Sequence, residues 1–303
     1  MGQIVVSGGT GFIGRALVRA LVKRGDSITV VTRDQDKVGM LFGPEVRAAH
    51  WDAGYGVVAA LGAMQAVIHL AGSQAVGVRW SREAKADMIA SRVMKAERLV
   101  QAMKTSHHIP KLLLCASGVG YYGALPPEHA VDETSPPGDD FLARLCQDWE
   151  SAALEARSLG VRVVCARFGV VLGEKGGALQ EMIKPFKWGL GGPIGSGKQI
   201  VSWIHLDDAV RMLLQIMDDE AISGPVNITS PNAVPQAELA QGIGVQLKKK
   251  ATFRVPEGLL RWRFGEGADP MLTGQRVLPR VMHGRGFRWK YPDLASALAA
   301  SLG

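Results

Sequence analysis

The chain has 303 residues, 47% of them hydrophobic and 21% charged, which is enough for one large core with a smaller lobe and too apolar for a disordered chain. Its three cysteines, Cys115, Cys146 and Cys165, stand singly in apolar surroundings without a CxxC pair or a histidine at ligand spacing, so buried reduced thiols are expected and no metal site is. Basic residues exceed acidic ones by 7, and the whole excess lies in residues 248–303, with 11 basic and 4 acidic residues, which suits an anionic small-molecule substrate better than nucleic acid, for which no motif is present.

The N-terminus enters an apolar strand pattern at Ile4-Val5-Val6 without the basic and long apolar regions of a signal peptide. No stretch approaches the roughly 20 apolar residues of a membrane span. A soluble, cytoplasmic protein with no membrane partner is expected.

Short runs of Val, Ile and Leu recur, each followed by apolar residues at helical spacing. They predict strands over 4–7, 27–32, 46–51, 66–71, 111–116, 161–168 and 225–228, with a first helix from Phe12 to Lys23. Strand and helix alternate over the first 170 or so residues, which predicts an α/β fold of Rossmann type with a doubly wound parallel sheet. The run Leu112-Leu113-Leu114 suits a strand covered on both faces.

Beyond Leu172 the texture changes. The stretch from Gly189 to Gly197 holds too many glycines for a helix or plain strand and reads as an ordered loop leading to a strand from Val201 to His205. From about residue 231 two or three short helices are expected, with Pro256 and Pro270 as breakers and an amphipathic piece from Leu294 to Leu302 at the end. The Lys248-Lys249-Lys250 run reads as a solvated turn.

The loop Gly8-Gly9-Thr10-Gly11-Phe12-Ile13-Gly14 follows an apolar strand and opens a helix, the context in which such a loop binds a dinucleotide. Gly8 permits the tight turn, Gly11 lets backbone approach a pyrophosphate, and Gly14 lets the helix pack on the strand. The helix start adds unpaired N–H groups and a positive dipole end. The second strand ends in Thr32-Arg33, where an NAD enzyme would carry an acidic residue for the ribose. A guanidinium there pairs with a 2′-phosphate, which favours NADP(H), while Asp34 and Asp36 just beyond keep NAD(H) as the alternative. Asp52 is placed either to accept a hydrogen bond from the adenine amino group or to cap a helix. His69-Leu70-Ala71-Gly72 ends the fourth strand in small residues that let backbone approach a cofactor, or make a tight turn.

GGTGFIG, the HLAG strand end, Arg167-Phe168-Gly169-Val170-Val171-Leu172-Gly173 and Trp203-Ile204-His205-Leu206-Asp207-Asp208 occur in the order of the landmarks of the extended short-chain dehydrogenase/reductase superfamily, which the chain resembles. Within it, the chain is similar to an epimerase-like group described as NAD-dependent epimerase/dehydratases or nucleoside-diphosphate-sugar epimerases, and in some cases as cell-division inhibitors. The similar segments are Arg79-Trp80, Ser91-Arg92, Gly120-Tyr121-Tyr122-Gly123, Trp149-Glu150, Pro185-Phe186 with the glycine-rich loop, and Gln275-Arg276-Val277-Leu278-Pro279. The resemblance implies an NADP(H)-binding domain over residues 1–230, with 174–200 contributing to a lid, and a small, mostly helical substrate-side lobe over 231–303. It places Gly8, Thr10, Gly11, Phe12, Ile13, Thr32, Arg33, Leu70, Ala71 and Gly72 along the cofactor, with Arg92 and Arg167 completing the wall. A homodimer through a pair of helices is the association such folds permit.

Hydride-transfer enzymes of this superfamily use a Tyr-x-x-x-Lys pair, in which the lysine lowers the tyrosine's pKa. Counting back from Glu150 puts the two positions at Leu142 and Cys146, neither of which can do that chemistry. Ser117, at the end of the fifth strand, is placed to polarise a carbonyl, and Tyr121 or Tyr122 to supply a phenol. The alternative is that the tyrosines pack under the lid and Ser117 caps a turn. Related epimerases clamp a diphosphate with an arginine where this chain has Val201, which weighs against a nucleotide-sugar substrate. His205 with Asp207 and Asp208 reads as a strand-to-helix junction in which an aspartate caps the helix. Two functions follow: an epimerase-like oxidoreductase acting on a small or sugar-like carbonyl compound, or an NADP(H) sensor or scaffold that has lost its chemistry. Nothing in the residues supports direct inhibition of cell division.

Overall fold

In a computed structural model that describes residues 2–51 and 64–303, the expected strands form one parallel sheet. They are β1 (Gln3–Ser7), β2 (Ser27–Thr32), β3 (Val46–His50), β4 (Ala66–His69), β5 (Leu112–Gly118), β6 (Arg162–Phe168) and β7 (Gly224–Ile228), in the spatial order β7-β6-β5-β4-β1-β2-β3. The order reverses at β1, so β1 and β4 diverge at the switch point where such sheets open a crevice beyond their C-terminal ends.

Among the described residues the first seven helices are α1 (Phe12–Arg24), α2 (Asp36–Phe42), α3 (Arg82–Ile89), α4 (Lys95–Thr105), α5 (Phe141–Leu154), α6 (Gly177–Lys187) and α7 (Leu206–Asp218). Alternation along the strands divides the core between the two faces of the sheet. Ile4, Val6, Leu112 and Leu114 pack with Leu17 and Leu21 of α1 and Leu213 and Ile216 of α7. Val5, Leu113 and Cys115 pack with Leu99 and Met103 of α4 and Trp149 and Ala153 of α5. Each fully buried leucine or isoleucine here contributes about 1.5–3 kcal/mol relative to exposure. All three cysteines are free and buried, Cys115 and Cys165 within this packing.

The C-terminal region beyond residue 230 contains more helix than expected. Among the described residues it has α8 (Gln236–Gln246), α9 (Glu257–Phe264), α10 (Asp269–Leu272), α11 (Arg280–Gly284) and α12 (Leu294–Leu302). Pro256 and Pro270 start helices instead of ending them: one precedes α9 and the other lies in the first turn of α10, where no N–H is required. Leu172, Leu179, Phe186 and Trp203 pack with Leu239, Ile243, Ala297 and Leu298, so segment 170–205 shares a core with α8 and α12. The expected strand from Val201 to His205 is broken at Ser202, whose hydroxyl donates to the Gln275 carbonyl at 2.7 Å and accepts the Val277 N–H at 2.9 Å.

The C-terminal helical region reaches back to the segment after β4. Lys85 of α3 pairs with Glu266, and Arg79 donates to the Trp262 carbonyl at 3.3 Å. Trp80 lies against Phe141 at the start of α5, ring centres 5.0 Å apart. Among the described residues no helix is long and apolar enough to cross a membrane.

Candidate functional site

The turn after β1 is built so tightly that no side chain fits at Gly8 or Gly14. Gly8 has φ +79°, and a Cβ there would lie 2.6 Å from the backbone of Leu70 and Ala71. A Cβ on Gly14 would lie 2.2 Å from the Gly8 carbonyl oxygen. The Gly11 N–H donates to that same oxygen at 3.0 Å, closing the turn. Helix α1 has no side-chain cap and no acidic residue in its first turn, so its leading N–H groups and dipole are left for an external anion. Thr10 and Ile13 are half-buried beside this turn. The Phe12 ring is used for packing: a Cβ on Gly173, Gly176 or Gly177 would meet it at 2.6–2.9 Å.

At the end of β2 the Thr32 hydroxyl accepts the Asp34 N–H at 3.2 Å, and the Asp34 carboxylate accepts the Lys37 N–H at 3.1 Å. Asp34, one of the two acids that kept NAD(H) open, is thereby turned into the start of α2. Arg33 is exposed, and its guanidinium has no hydrogen bond or ion pair among the described residues. Asp52 lies outside the described residues.

Beyond β4, Leu70 donates its N–H to the Ser7 carbonyl at 2.8 Å, which fixes Leu70, Ala71 and Gly72 against the glycine turn. Behind Gly72 stands Arg92. It belongs to a π-helical turn, Ala90–Met94, that joins α3 to α4. The guanidinium donates to the Ser73 carbonyl at 2.7 Å and lies 5.4 Å from the Trp149 ring.

The three hydroxyls singled out at the end of β5 lie close together but in different settings. The Ser117 hydroxyl donates to Glu150 Oε1 at 2.7 Å. Tyr122 is buried, and its hydroxyl donates to Asn227 Oδ1 at 2.8 Å while accepting Arg167 Nη1 at 3.0 Å. Burial pushes its pKa up to about 12, against the pull of Arg167. Tyr121 is half-buried, its ring edge-on to Tyr122 and 3.4 Å from the Arg167 guanidinium carbon.

Arg167 itself forms a fork with both oxygens of Glu150 at 2.8 Å, so every guanidinium nitrogen is engaged inside the protein. Its pKa is raised: the hydrogen bonds and charge of Glu150 outweigh a burial that acts the other way. Asn227 extends the network, its N–H donating to Glu133 Oε1 at 3.0 Å; Glu133 also accepts the N–H groups of Arg280 and Val281 at the start of α11. Leu142 and Cys146 face the end of β5, the first packed on Gly120 and the second beside Gly118. Burial pushes the Cys146 thiol up to about 11.

The sequence gives Asn227 and Glu133 no place in this network. A lone asparagine in the apolar run Pro225–Ile228 was the signal, since a buried amide demands partners. At the His205 junction the capping group is the imidazole, whose Nδ1 accepts the Asp207 N–H at 3.1 Å, in place of the expected aspartate. Asp208 is fully buried and accepts the N–H groups of Lys290 and Tyr291 at 2.9 and 2.8 Å, tying the C-terminal segment to α7. Among the described residues no group of acids, histidines and cysteines is arranged to hold a metal.

A parallel sheet with this switch point and a glycine-packed turn after its first strand defines a Rossmann-type, NAD(P)-binding architecture. The chain belongs to the NAD dependent epimerase/dehydratase family, within the extended short-chain dehydrogenases/reductases; that family's model matches residues 4–229, and a domain of unknown function, DUF1731, matches residues 255–301. A relative from Arabidopsis thaliana, the chloroplastic homolog of epimerase family protein SDR39U1, is 39% identical over 98% of this chain and 86% of its own. The crystal structure of human SDR39U1 (isoform 2) with NADPH superimposes with a TM-score of 0.86 at 33% identity, covering 98% of both chains. The Thermus thermophilus UDP-glucose 4-epimerase complexed with NAD, 19% identical, shares the fold at a TM-score of 0.80 over 99% of this chain and 97% of that one.

Proposed function

We propose that this chain binds NADP(H) and uses it in an epimerase-like oxidoreductase reaction on a small or sugar-like carbonyl compound. The observation that carries the reading is the pairing of a turn with no room for a side chain at Gly8 or Gly14 with an exposed Arg33 at the end of β2 that has no partner among the described residues. The NADPH in the human relative's structure supports it. In this reading residues 1–230 hold the cofactor, with 174–200 as part of the lid, and 231–303 form the substrate side. Gly8, Thr10, Gly11, Phe12 and Ile13 receive the pyrophosphate through backbone. Thr32 and Arg33 take the 2′-phosphate, Asp52 the adenine, and Leu70, Ala71 and Gly72 the middle of the dinucleotide. The cytoplasm is the proposed location.

Bound there, the cofactor supplies hydride chemistry. The chain must supply a proton at the carbonyl oxygen. Tyr121 is the best placed of the three hydroxyls, because those of Ser117 and Tyr122 already donate to Glu150 and Asn227. Arg167 serves this site as support under the Tyr121 ring. A screen of carbonyl compounds followed by nicotinamide absorbance tests the assignment: turnover lost in Tyr121→Phe supports it, and turnover unchanged in both Tyr121→Phe and Ser117→Ala contradicts it.

The packing of Leu142 and Cys146 against the end of β5 favours a second reading, an NADP(H) sensor or scaffold. Robust turnover of any carbonyl substrate in the screen removes it.

A further inference from the structure

Helix α6 ends at Lys187 and the chain turns at once, the N–H groups of Trp188 and Leu190 both donating to the Pro185 carbonyl, at 3.1 and 3.0 Å. Trp188 stands on this turn with 82% of its surface exposed, and Leu190 is exposed beside it. The chain beyond α8 runs alongside: Phe253 donates its N–H to the Gly191 carbonyl at 3.2 Å and Val255 to that of Pro193 at 2.9 Å. Phe253 is exposed as well. A single exposed apolar residue is ordinary, but Trp188, Leu190 and Phe253 on two adjoining segments make a patch.

Cations surround it. Lys187 precedes Trp188, Arg254 follows Phe253, and Lys248, Lys249 and Lys250 lead from α8 to the patch, all of them exposed. The four ammonium groups have no ion pair among the described residues, and Arg254 donates to the Gly195 and Ser196 carbonyls. No acidic residue occurs in 182–206 or in 239–256, so both segments are purely basic.

Lys248 adds a second, independent sign. Its φ of +53° makes it the one non-glycine residue in the left-handed region among the described residues. The Lys248 N–H donates to the Val245 carbonyl at 3.1 Å and that of Lys249 to the Gly244 carbonyl at 2.8 Å, the closure of a helix in which glycine is usual. A lysine there is less stable than a glycine, so the backbone does not account for the charge.

We propose that this surface docks the protein on a membrane containing anionic lipid, with Trp188, Leu190 and Phe253 entering the headgroup layer and the lysines around them facing the phosphates. An amphipathic ring such as that of tryptophan is suited to that layer, and each lysine near an anionic bilayer adds about fivefold in affinity. A peptide or a nucleic acid strand calls for a groove or a stacking platform, whereas Trp188 protrudes from a turn. A second copy of the same surface would bring like charges together. The expectation of no membrane partner rests on the lack of a spanning helix, which a surface-bound protein does not need.

Sedimentation of the full chain with vesicles of phosphatidylcholine, alone or with about 30% phosphatidylglycerol, tests the proposal at low salt. Wild type should bind the anionic vesicles at least about tenfold more tightly than the neutral ones. Trp188→Ser combined with Phe253→Ser should weaken that binding by about tenfold. Lys248→Gly separates docking from folding: it should weaken vesicle binding by about threefold to fivefold while leaving thermal stability equal or higher. Equal binding to both vesicles, or anionic-vesicle binding unchanged in the serine variant, overturns the proposal. So does a wild type that prefers poly(dT) to the anionic vesicles, or one that forms a dimer which the serine substitutions dissolve.

Discussion

Glu150 and Arg167 face each other across the C-terminal end of β6 through two parallel 2.8 Å hydrogen bonds, with only 8% and 3% of their side chains exposed. Ser117, Tyr122, Asn227 and Glu133 extend from this pair and join α5, β5, β6, β7 and α11. The corner that holds the acid–base pair in related dehydrogenases is here a closed polar scaffold.

Removing one charge of that pair strands the other in the interior. Glu150→Gln should therefore destabilise the protein by about 3–5 kcal/mol in urea unfolding, whereas Glu150→Leu combined with Arg167→Met should recover a large part of the loss. A Glu150→Gln variant as stable as wild type would mean that solvent reaches the pair.

His69 gives the fold a pH dependence of known sign. It is fully buried between the rings of Trp51 and Trp149, its Nδ1 is 3.1 Å from the Ser7 hydroxyl, and burial brings its pKa down to about 4. Below an unfolded pKa of about 6.5 the unfolded chain takes up a proton that the folded chain refuses, so this contribution is lost between about pH 6.5 and about pH 4. His69→Asn should be less sensitive than wild type, by about 2 kcal/mol, when unfolding is compared at about pH 7 and about pH 5. Identical pH dependence in the two proteins would show that the imidazole titrates normally.

The glycine turn should be intolerant of even one methyl group. With 2.2 Å between a Cβ at position 14 and the Gly8 oxygen, Gly14→Ala must push α1 off β1. A cost on the order of 2–3 kcal/mol is expected in thermal unfolding, together with loss of dinucleotide binding. Wild-type stability in this variant would show that the turn has more room than its geometry allows.

The main sheet was legible in the sequence because its inner strands are runs buried on both faces, bounded by turn residues, and the glycine loop was legible because its spacing reports backbone geometry. The lobe was less so. Pro256 and Pro270 read as breakers, yet a proline is equally suited to the first turn of a helix, and only the packing against Trp203 and Leu298 decides which. Loss of the Tyr-x-x-x-Lys pair could be read from Leu142 and Cys146, but the polar scaffold around Glu150 could not. Its members, Glu133, Asn227 and Arg167, are far apart in the chain and come together only through the crossing of β5, β6 and β7. Arg92 lay in a segment with ordinary helical spacing, and nothing in that spacing announced a π-helical turn.

The proposed preference for NADP(H) rests on Arg33, and calorimetric titration of wild type and Arg33→Ala with NADPH and NADH tests it most directly. The account predicts that wild type binds NADPH more tightly than NADH, and that the variant weakens NADPH by about tenfold to hundredfold while NADH changes by less than about threefold. An unchanged ratio of the two affinities in Arg33→Ala, or a wild type that binds NADH as tightly as NADPH, would contradict it.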